Sequence, residues 1–340
     1  MTPKEIIQIK KLLGLQKNIV ITTHHNPDGD AIGSSLGLYN FLIRKGYKAD
    51  VITPNNYPEF LHWLPGNDKV IIYKDNTGRA DELINSAGTI FCLDYNALNR
   101  VGDMGSVIKK SDAVKILIDH HPQPDDFADY KLVDTSACSA AELVYEFIEL
   151  LNEKHVMNKD AINCIYTGIM TDTGAFRFGT VSSKTHKVVS VLIELGADRE
   201  LIHGLIYNNF TQDRMRLLGY CLNEKLKVFP QYGASMISLS IKELERYNFK
   251  KGDSEGFVNY ALAIKNVRLA AFIVERDDIV KLSFRSTGDF SVDEFARKHF
   301  AGGGHSKAAG GESKLSLEET IEKFISILPQ YKDELLLCQE

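Results

Sequence analysis

The chain has 340 residues, a formal net charge of -5, 44% hydrophobic and 25% charged residues. This composition belongs to a globular protein of about two domains, with a core large enough to need no staples. The acidic balance argues against a groove for long duplex nucleic acid, which needs a basic surface, but leaves room for a small phosphorylated ligand held by a few local cations. Five cysteines, Cys92, Cys138, Cys164, Cys221 and Cys338, form no CxxC pair. A disulfide framework or structural zinc site is therefore not expected, and a reducing, cytoplasmic setting is. The N-terminus lacks the apolar run of a signal peptide, and no stretch approaches the ~18 apolar residues of a membrane span, so no membrane partner is expected.

In chain order, 18–23 (NIVITT) reads as a buried strand, and 31–44 as a helix with Gly46 just beyond its end. Further strands are expected at 49–53, 70–73, 89–93, 114–118 and 131–133, and helices at 140–151, 159–172 and 184–195. This alternation predicts an α/β domain over 1–195, a parallel sheet with helices on both faces. A partly helical linker is expected over 196–210. From 211 to 340 the pattern changes to two hairpins, 225–230 with 233–240 and 268–275 with 279–285, then helices at 292–299 and 317–328. That predicts a smaller α+β domain.

Three of the expected strands end in ligand-type residues. The first runs into HHNPDGD, with His24, Asp28 and Asp30; the second ends at Asp94; the third ends at Asp119, His120 and His121. In open parallel sheets, sites form outside the carboxyl ends of the strands. The helical run CIYTGIMTDTG adds Asp172, with Asp160 a weaker candidate at its other end. Each piece alone has a plain explanation, since a strand-end Asp often caps the next helix and a lone His is often a hydrogen-bonded, partly buried residue. Together they do not, because so many carboxylates in one place repel unless cations share the site. His24, Asp28, Asp30, Asp94, His120 and Asp172 are enough for two divalent ions with one bridging carboxylate. An oxygen-rich set with some imidazole suits Mn²⁺ better than a thiolate metal. Two such ions roughly 3.5–4 Å apart can acidify a bridging water for in-line attack on phosphorus.

Within HHNPDGD, Pro27 stiffens the turn and Gly29 is expected to let it bend. In the second half, the glycines at 302–304 are expected to bring backbone N–H groups close to an anion, with His305 adding an imidazole and Lys307 a charge. Arg285 with Ser286, and Arg100 six residues after Asp94, are candidate phosphate contacts. An exposed strand-end cation explains Arg285 as well, and Arg100 can equally brace Asp94. Arg177 and Phe178 after TDTG are candidates to line the site, although core packing accounts for Phe178 too.

HxxPDGDAxGS at 24–34, the Asp of LDYN, the DHH triplet at 119–121 and the Asp of TDTG resemble the four N-terminal motifs of the DHH phosphoesterases. GGGHSKAAGG at 302–311 resembles the signature of the DHH-associated C-terminal domain of the first type. The resemblance spans nearly the whole chain in the expected order, and the nearest-looking branch is the nanoRNase/pAp-phosphatase type. It implies an active site in a cleft between two domains. His24 and Asp28 would bind one ion and Asp30 the other; Asp94 would bridge; His120 and Asp172 would be further ligands. His121 would meet the scissile phosphate and give a proton to the leaving oxygen, while Asp119 would orient an imidazole rather than touch metal. Arg285, Ser286, Gly303, Gly304 and His305 would face the substrate. The HxxPD spacing selects His24 over His25.

The implied substrates are short oligoribonucleotides and 3′-phosphoadenosine 5′-phosphate (pAp), the implied cofactors two divalent ions, usually Mn²⁺, and the implied assembly a homodimer. A linear dinucleotide (pApA or pGpG) phosphodiesterase is the second reading. RecJ-like exonucleases carry an additional module for which this chain has no room. Exopolyphosphatase or pyrophosphatase activity is expected less, because those relatives carry a different C-terminal domain without GGGH. A non-catalytic nucleotide-binding module is disfavoured by the intact ligand set.

Overall fold

The computed structural model describes residues 1–15, 18–178 and 180–336, so Cys338 lies outside the described residues. The chain divides into two compact units, Met1–Asn209 and Phe210–Glu340. The first runs α1 (Pro3–Leu13), β1 (Ile19–Thr22), α2 (Gly29–Arg44), β2 (Ala49–Thr53), β3 (Ile71–Ile72), α3 (Thr77–Ser86), β4 (Thr89–Leu93), α4 (Met104–Lys110), β5 (Val114–Asp119), β6 (Tyr130–Val133), α5 (Ala140–Leu150), α6 (Lys159–Asp172), α7 (Ser183–Glu194) and α8 (Arg199–Tyr207).

Its six strands are all parallel, in the order β3-β2-β1-β4-β5-β6. The order reverses between β1 and β4, which is where an open sheet of this kind leaves a crevice at the strands' carboxyl ends. β1 and β4 are buried at every residue, as strands covered on both faces must be. Successive side chains alternate between faces. Ile19, Ile21, Phe91 and Ile116 join Ile9 of α1, Leu36 of α2, Phe147 of α5 and Ile165 of α6 in one core. Val20, Ile90, Cys92 and Leu117 join Ile84 of α3 and Ile108 of α4 in another.

The approach of α2 to α6 requires glycine. A Cβ on Gly33 would lie 2.7 Å from both the Cys164 carbonyl oxygen and the Gly168 nitrogen. A Cβ on Gly168 would lie 2.5 Å from Ala141 Cβ and 3.0 Å from Asp30 Oδ1. This contact sets the spacing between Asp30, at the start of α2, and Asp172, at the end of α6. Gly33→Val is expected to cost roughly 1–3 kcal/mol through overpacking and to move those carboxylates apart. Thermal melts check the loss of stability, since the melting temperature should fall.

The second unit runs α9 (Gln212–Tyr220), β7 (Lys227–Phe229), β8 (Ala234–Leu239), α10 (Ile241–Arg246), α11 (Phe257–Leu262), β9 (Leu269–Glu275), β10 (Val280–Ser286), α12 (Val292–His299), β11 (Gly303–His305), β12 (Ala308–Ser313), α13 (Leu317–Ile327) and α14 (Lys332–Leu336). Its sheet has the order β11-β12-β10-β9-β8-β7. The two expected hairpins are present, and β8 and β9 pair in parallel between them. Phe295 of α12 and Phe324 of α13 pack with Phe284 on one face. Leu217 of α9 and Phe257 of α11 pack with Phe272 on the other.

The structure departs from the sequence reading in three places. The stretch 196–210, expected as a linker, contributes α8 to the first unit, because Ile202 and Ile206 lie one turn apart and both enter its core. The strand expected at 70–73 keeps only Ile71–Ile72, since short helical turns at Asn67–Lys69 and Tyr73–Asp75 close on either side. The run 302–311, where no strand is expected, carries β11 and the first part of β12, which pair with each other. Its glycines answer a steric need: a Cβ on Gly304 would lie 2.6 Å from the Ala308 carbonyl oxygen, and one on Gly302 would overlap the Gly310 carbonyl.

Candidate metal centre

β1 delivers His24 buried at its carboxyl end and His25 exposed beside it. The bend that follows is made by Asn26, at φ 56, rather than by Gly29. Asparagine tolerates this left-handed conformation better than most residues. It is held there by Asn55, whose Oδ1 accepts the Asn26 N–H at 2.7 Å and whose Nδ2 donates to Asn26 Oδ1 at 2.9 Å. Gly29 is instead the first residue of α2, and its missing Cβ leaves room for the Thr171 side chain. Asp28 caps that helix, with Oδ1 accepting the Asp30 and Ala31 N–H groups at 3.0 Å each.

Two groups of side chains come together. His24 Nε2 lies 3.3 Å from Asp94 Oδ2 and 3.9 Å from Asp28 Oδ1. His120 Nε2 lies 3.5 Å from Asp94 Oδ1, 3.8 Å from Asp172 Oδ2 and 3.9 Å from Asp30 Oδ2. Asp94 thus presents one oxygen to each group, the arrangement of a bridging carboxylate. Ligand atoms about 2.0–2.2 Å from a common cation stand about 3–3.5 Å apart, close to these separations. Each imidazole also has its other nitrogen beside a backbone carbonyl: His24 Nδ1 is 3.0 Å from the His25 oxygen and His120 Nδ1 is 3.4 Å from that of Ala137. With the proton on Nδ1, both Nε2 lone pairs face the carboxylates, as in a metal ligand oriented by its second neighbour.

The donor set fits divalent cations on further grounds. Asp94 is 2% exposed and its Oδ1 makes no hydrogen bond. Its backbone is left-handed, at φ 62, a conformation costing a non-glycine residue about 1–2 kcal/mol. Burial and the charges of Asp94 and Asp172 push the Asp30 carboxyl well above its usual range. Burial would also raise Asp94, but the imidazoles of His120 and His24 facing its carboxylate hold it well below. Burial opposes the charging of His24, yet Asp94 and Asp28 raise it to about 9, against a smaller depression by the Arg100 charge. His120 is likewise raised by Asp94 and Asp172 in spite of burial. Without cations the centre compensates its carboxylates by holding protons. Binding of a divalent cation at pH 7 is therefore expected to release protons, which calorimetry reads as a heat that varies with the ionisation enthalpy of the buffer.

Asp119 stands outside both groups. It is fully buried, and His121 Nδ1 donates to its Oδ1 at 2.8 Å. That bond places the exchangeable proton of His121 at Nε2. Asp160 is not in the centre: it sits in the first turn of α6, and twelve residues of helix put it about 18 Å from Asp172. Arg100 lies in the turn Leu98–Val101, where its carbonyl accepts the His25 N–H at 2.7 Å. Arg177 Nε donates to the Gly174 carbonyl at 3.0 Å, and its guanidinium carbon lies 5.1 Å from the Phe178 ring centre.

In the second unit, Arg285 is half-buried on β10, with Nη1 donating to the Phe284 carbonyl at 2.9 Å. Ser286 is buried, and its hydroxyl donates to the Phe290 carbonyl at 2.7 Å, a bond that ties down the end of β10. Gly303, Gly304 and His305 form the edge strand β11. The Gly304 N–H already donates to Asp293 Oδ1 at 2.7 Å, so that amide has a partner within the fold.

Residues 18–169 match the DHH family, N-terminal domain, and residues 233–333 match the DHHA1 domain. The bifunctional oligoribonuclease and PAP phosphatase NrnA of Thermus thermophilus is 31% identical over 316 residues, covering 92% of this chain and 90% of that protein. The Bacillus subtilis protein of the same name is 31% identical over 306 residues, covering 89% and 91%. The crystal structure of an exopolyphosphatase-related protein from Bacteroides fragilis matches with a TM-score of 0.94 at 40% identity, covering 98% of both chains. With a DHH domain followed by a DHHA1 domain, and relatives of this similarity along nearly its full length, the chain belongs to the DHH family of phosphoesterases.

Proposed function

We propose that this protein is a metal-dependent phosphoesterase that hydrolyses short oligoribonucleotides and pAp to mononucleotides. The observation that carries the reading is Asp94, buried and strained, offering one oxygen to each of two His–Asp groups. The substrate class follows the relatives named oligoribonuclease and PAP phosphatase. His24 and Asp28 hold one ion, Asp30, His120 and Asp172 the other, and Asp94 both; Mn²⁺ suits this set of carboxylates and imidazoles best. When bound, the ions supply an acidified water and neutralise charge on the phosphoryl oxygens. His121, its tautomer set by Asp119, gives its Nε2 proton to the leaving oxygen. Arg100, Arg285, His305 and the backbone at Gly303 bind the substrate. The four described cysteines are buried and unpaired, in keeping with a reducing cytoplasm.

A second reading, polyphosphate hydrolysis, is favoured by the exopolyphosphatase-related relative. Product analysis with Mn²⁺ on pAp, pApA, a five-nucleotide RNA, pyrophosphate and polyphosphate separates the two. AMP from pAp and mononucleotides from the RNA are expected, with loss of both on chelation. Phosphate release from polyphosphate alone, or hydrolysis indifferent to chelators, would overturn the proposal.

A further inference from the structure

Asp30 opens α2, yet its carboxylate is gripped by a different helix. The Ala140 N–H donates to Oδ2 at 2.6 Å and the Ala141 N–H to Oδ1 at 2.9 Å. These are the first two amides of α5, orphan donors at the positive end of a helix. One donor on each oxygen fixes the rotation of the carboxylate and leaves each oxygen a second lone pair for a cation. The position of the two amides depends in turn on Glu142, which is 0% exposed. Its Oε2 accepts the Cys138 N–H at 2.9 Å and the Thr185 hydroxyl at 3.2 Å, and its own N–H donates to Ser139 Oγ at 3.0 Å. Burying a carboxylate is costly. A helix N-terminus needs only a surface Ser, Thr, Asp or Asn, and Ser139 already serves. Glu142 therefore does more than cap: it ties the approach to α5 at Cys138, the start of α7 at Thr185 and the first turn of α5 into one unit.

We propose that Glu142 is a positioning residue, which fixes the first turn of α5 so that its two amides aim Asp30, and thereby sets the affinity of the ion position that Asp30 shares with His120 and Asp172. The inference rests on the metal-centre reading above. It predicts a selective effect. A purely structural Glu142 would lower stability and leave ion affinity unchanged, whereas a positioning Glu142 acts on one ion position and spares the one at His24 and Asp28.

The test is a Mn²⁺ titration of the metal-stripped full chain, followed by electron paramagnetic resonance, with thermal melts alongside. Glu142→Leu is expected to weaken one of two Mn²⁺ sites by roughly 10–100-fold, the range typical of outer-shell partners, with the other within about twofold. Glu142→Gln keeps a carbonyl acceptor for the Cys138 N–H and is expected to restore most of the affinity. Thr2→Ala removes the cap of α1 and should lower the melting temperature without changing either site. Should Glu142→Leu fail to fold, Thr185→Val, which removes one donor to Glu142, replaces it and should weaken the same site to a lesser degree. Two unaltered sites in a folded Glu142→Leu or Thr185→Val variant would overturn the inference, as would equal weakening by Thr2→Ala. A wild-type chain that binds no Mn²⁺ would instead overturn the metal-centre reading itself.

Discussion

Asp94→Asn is expected to empty both ion positions and to lower turnover by well over ~10⁴-fold, beyond the usual effect of removing one acid–base group. The reason is geometric: Asp94 Oδ2 stands by His24 and Oδ1 by His120, so one substitution removes an anionic ligand from both groups. Asp28→Ala, which touches only the first group, should leave one Mn²⁺ bound. Equilibrium dialysis that counts Mn²⁺ per chain distinguishes these outcomes, and an Asp94→Asn protein retaining two ions would refute the bridging role. The same variant has a signature without metal. In the wild type, burial works against a charged His24, but Asp94 and Asp28 raise it to about 9. A His whose folded value is raised stabilises the fold fully below its unfolded value near 6.5, and that contribution disappears as pH rises through about 9. Metal-free wild-type protein should therefore lose melting temperature over this window, and Asp94→Asn should show a flatter profile, with the His24 resonance titrating closer to its ordinary value.

His121→Ala is expected to cut turnover by roughly 10²–10⁴-fold, the range of a positioned general acid, while both Mn²⁺ ions remain bound. Asp119→Asn should cost less but in the same direction, since it leaves the ring in place and replaces the charged acceptor of the Nδ1 proton with a neutral amide. Single-turnover rates with Mn²⁺ counts on the same samples check the pair. Loss of an ion from His121→Ala would make that residue a ligand, and an unchanged rate in both variants would remove the proton-transfer role.

The parallel strands of the first unit are legible in the sequence because they are covered on both faces, and IVIT and TIFCL accordingly read as unbroken apolar runs. Helix α3 escapes the same reading because TGRADELINS buries only Ala80 and Ile84, too few to reveal a period. The different burial of His24 and His25 is legible too: adjacent residues leaving a strand face opposite ways, and the structure buries the first and exposes the second. The left-handed backbone of Asp94 and the grip of α5 on Asp30 are not legible. The first is a backbone conformation that aspartate does not announce, and the second joins residues 110 and 111 positions apart. A signal for the second did exist in Ser139-Ala-Ala-Glu142, a capping-box spacing just before an apolar helix. The strand pairing of the GGGH run is not legible for a physical reason: glycine permits both close approach to a ligand and tight strand contact, and only the partner strand β12 shows the second.

Among the described residues, the clusters that close the first unit end with Tyr207 and those of the second begin with Leu217. Halves that fold around separate interiors can be inherited separately. A lineage could exchange its carboxyl-terminal half wholesale while the half that carries the His–Asp groups passed on intact. Gene fusion and recombination would then meet a natural seam near position 209.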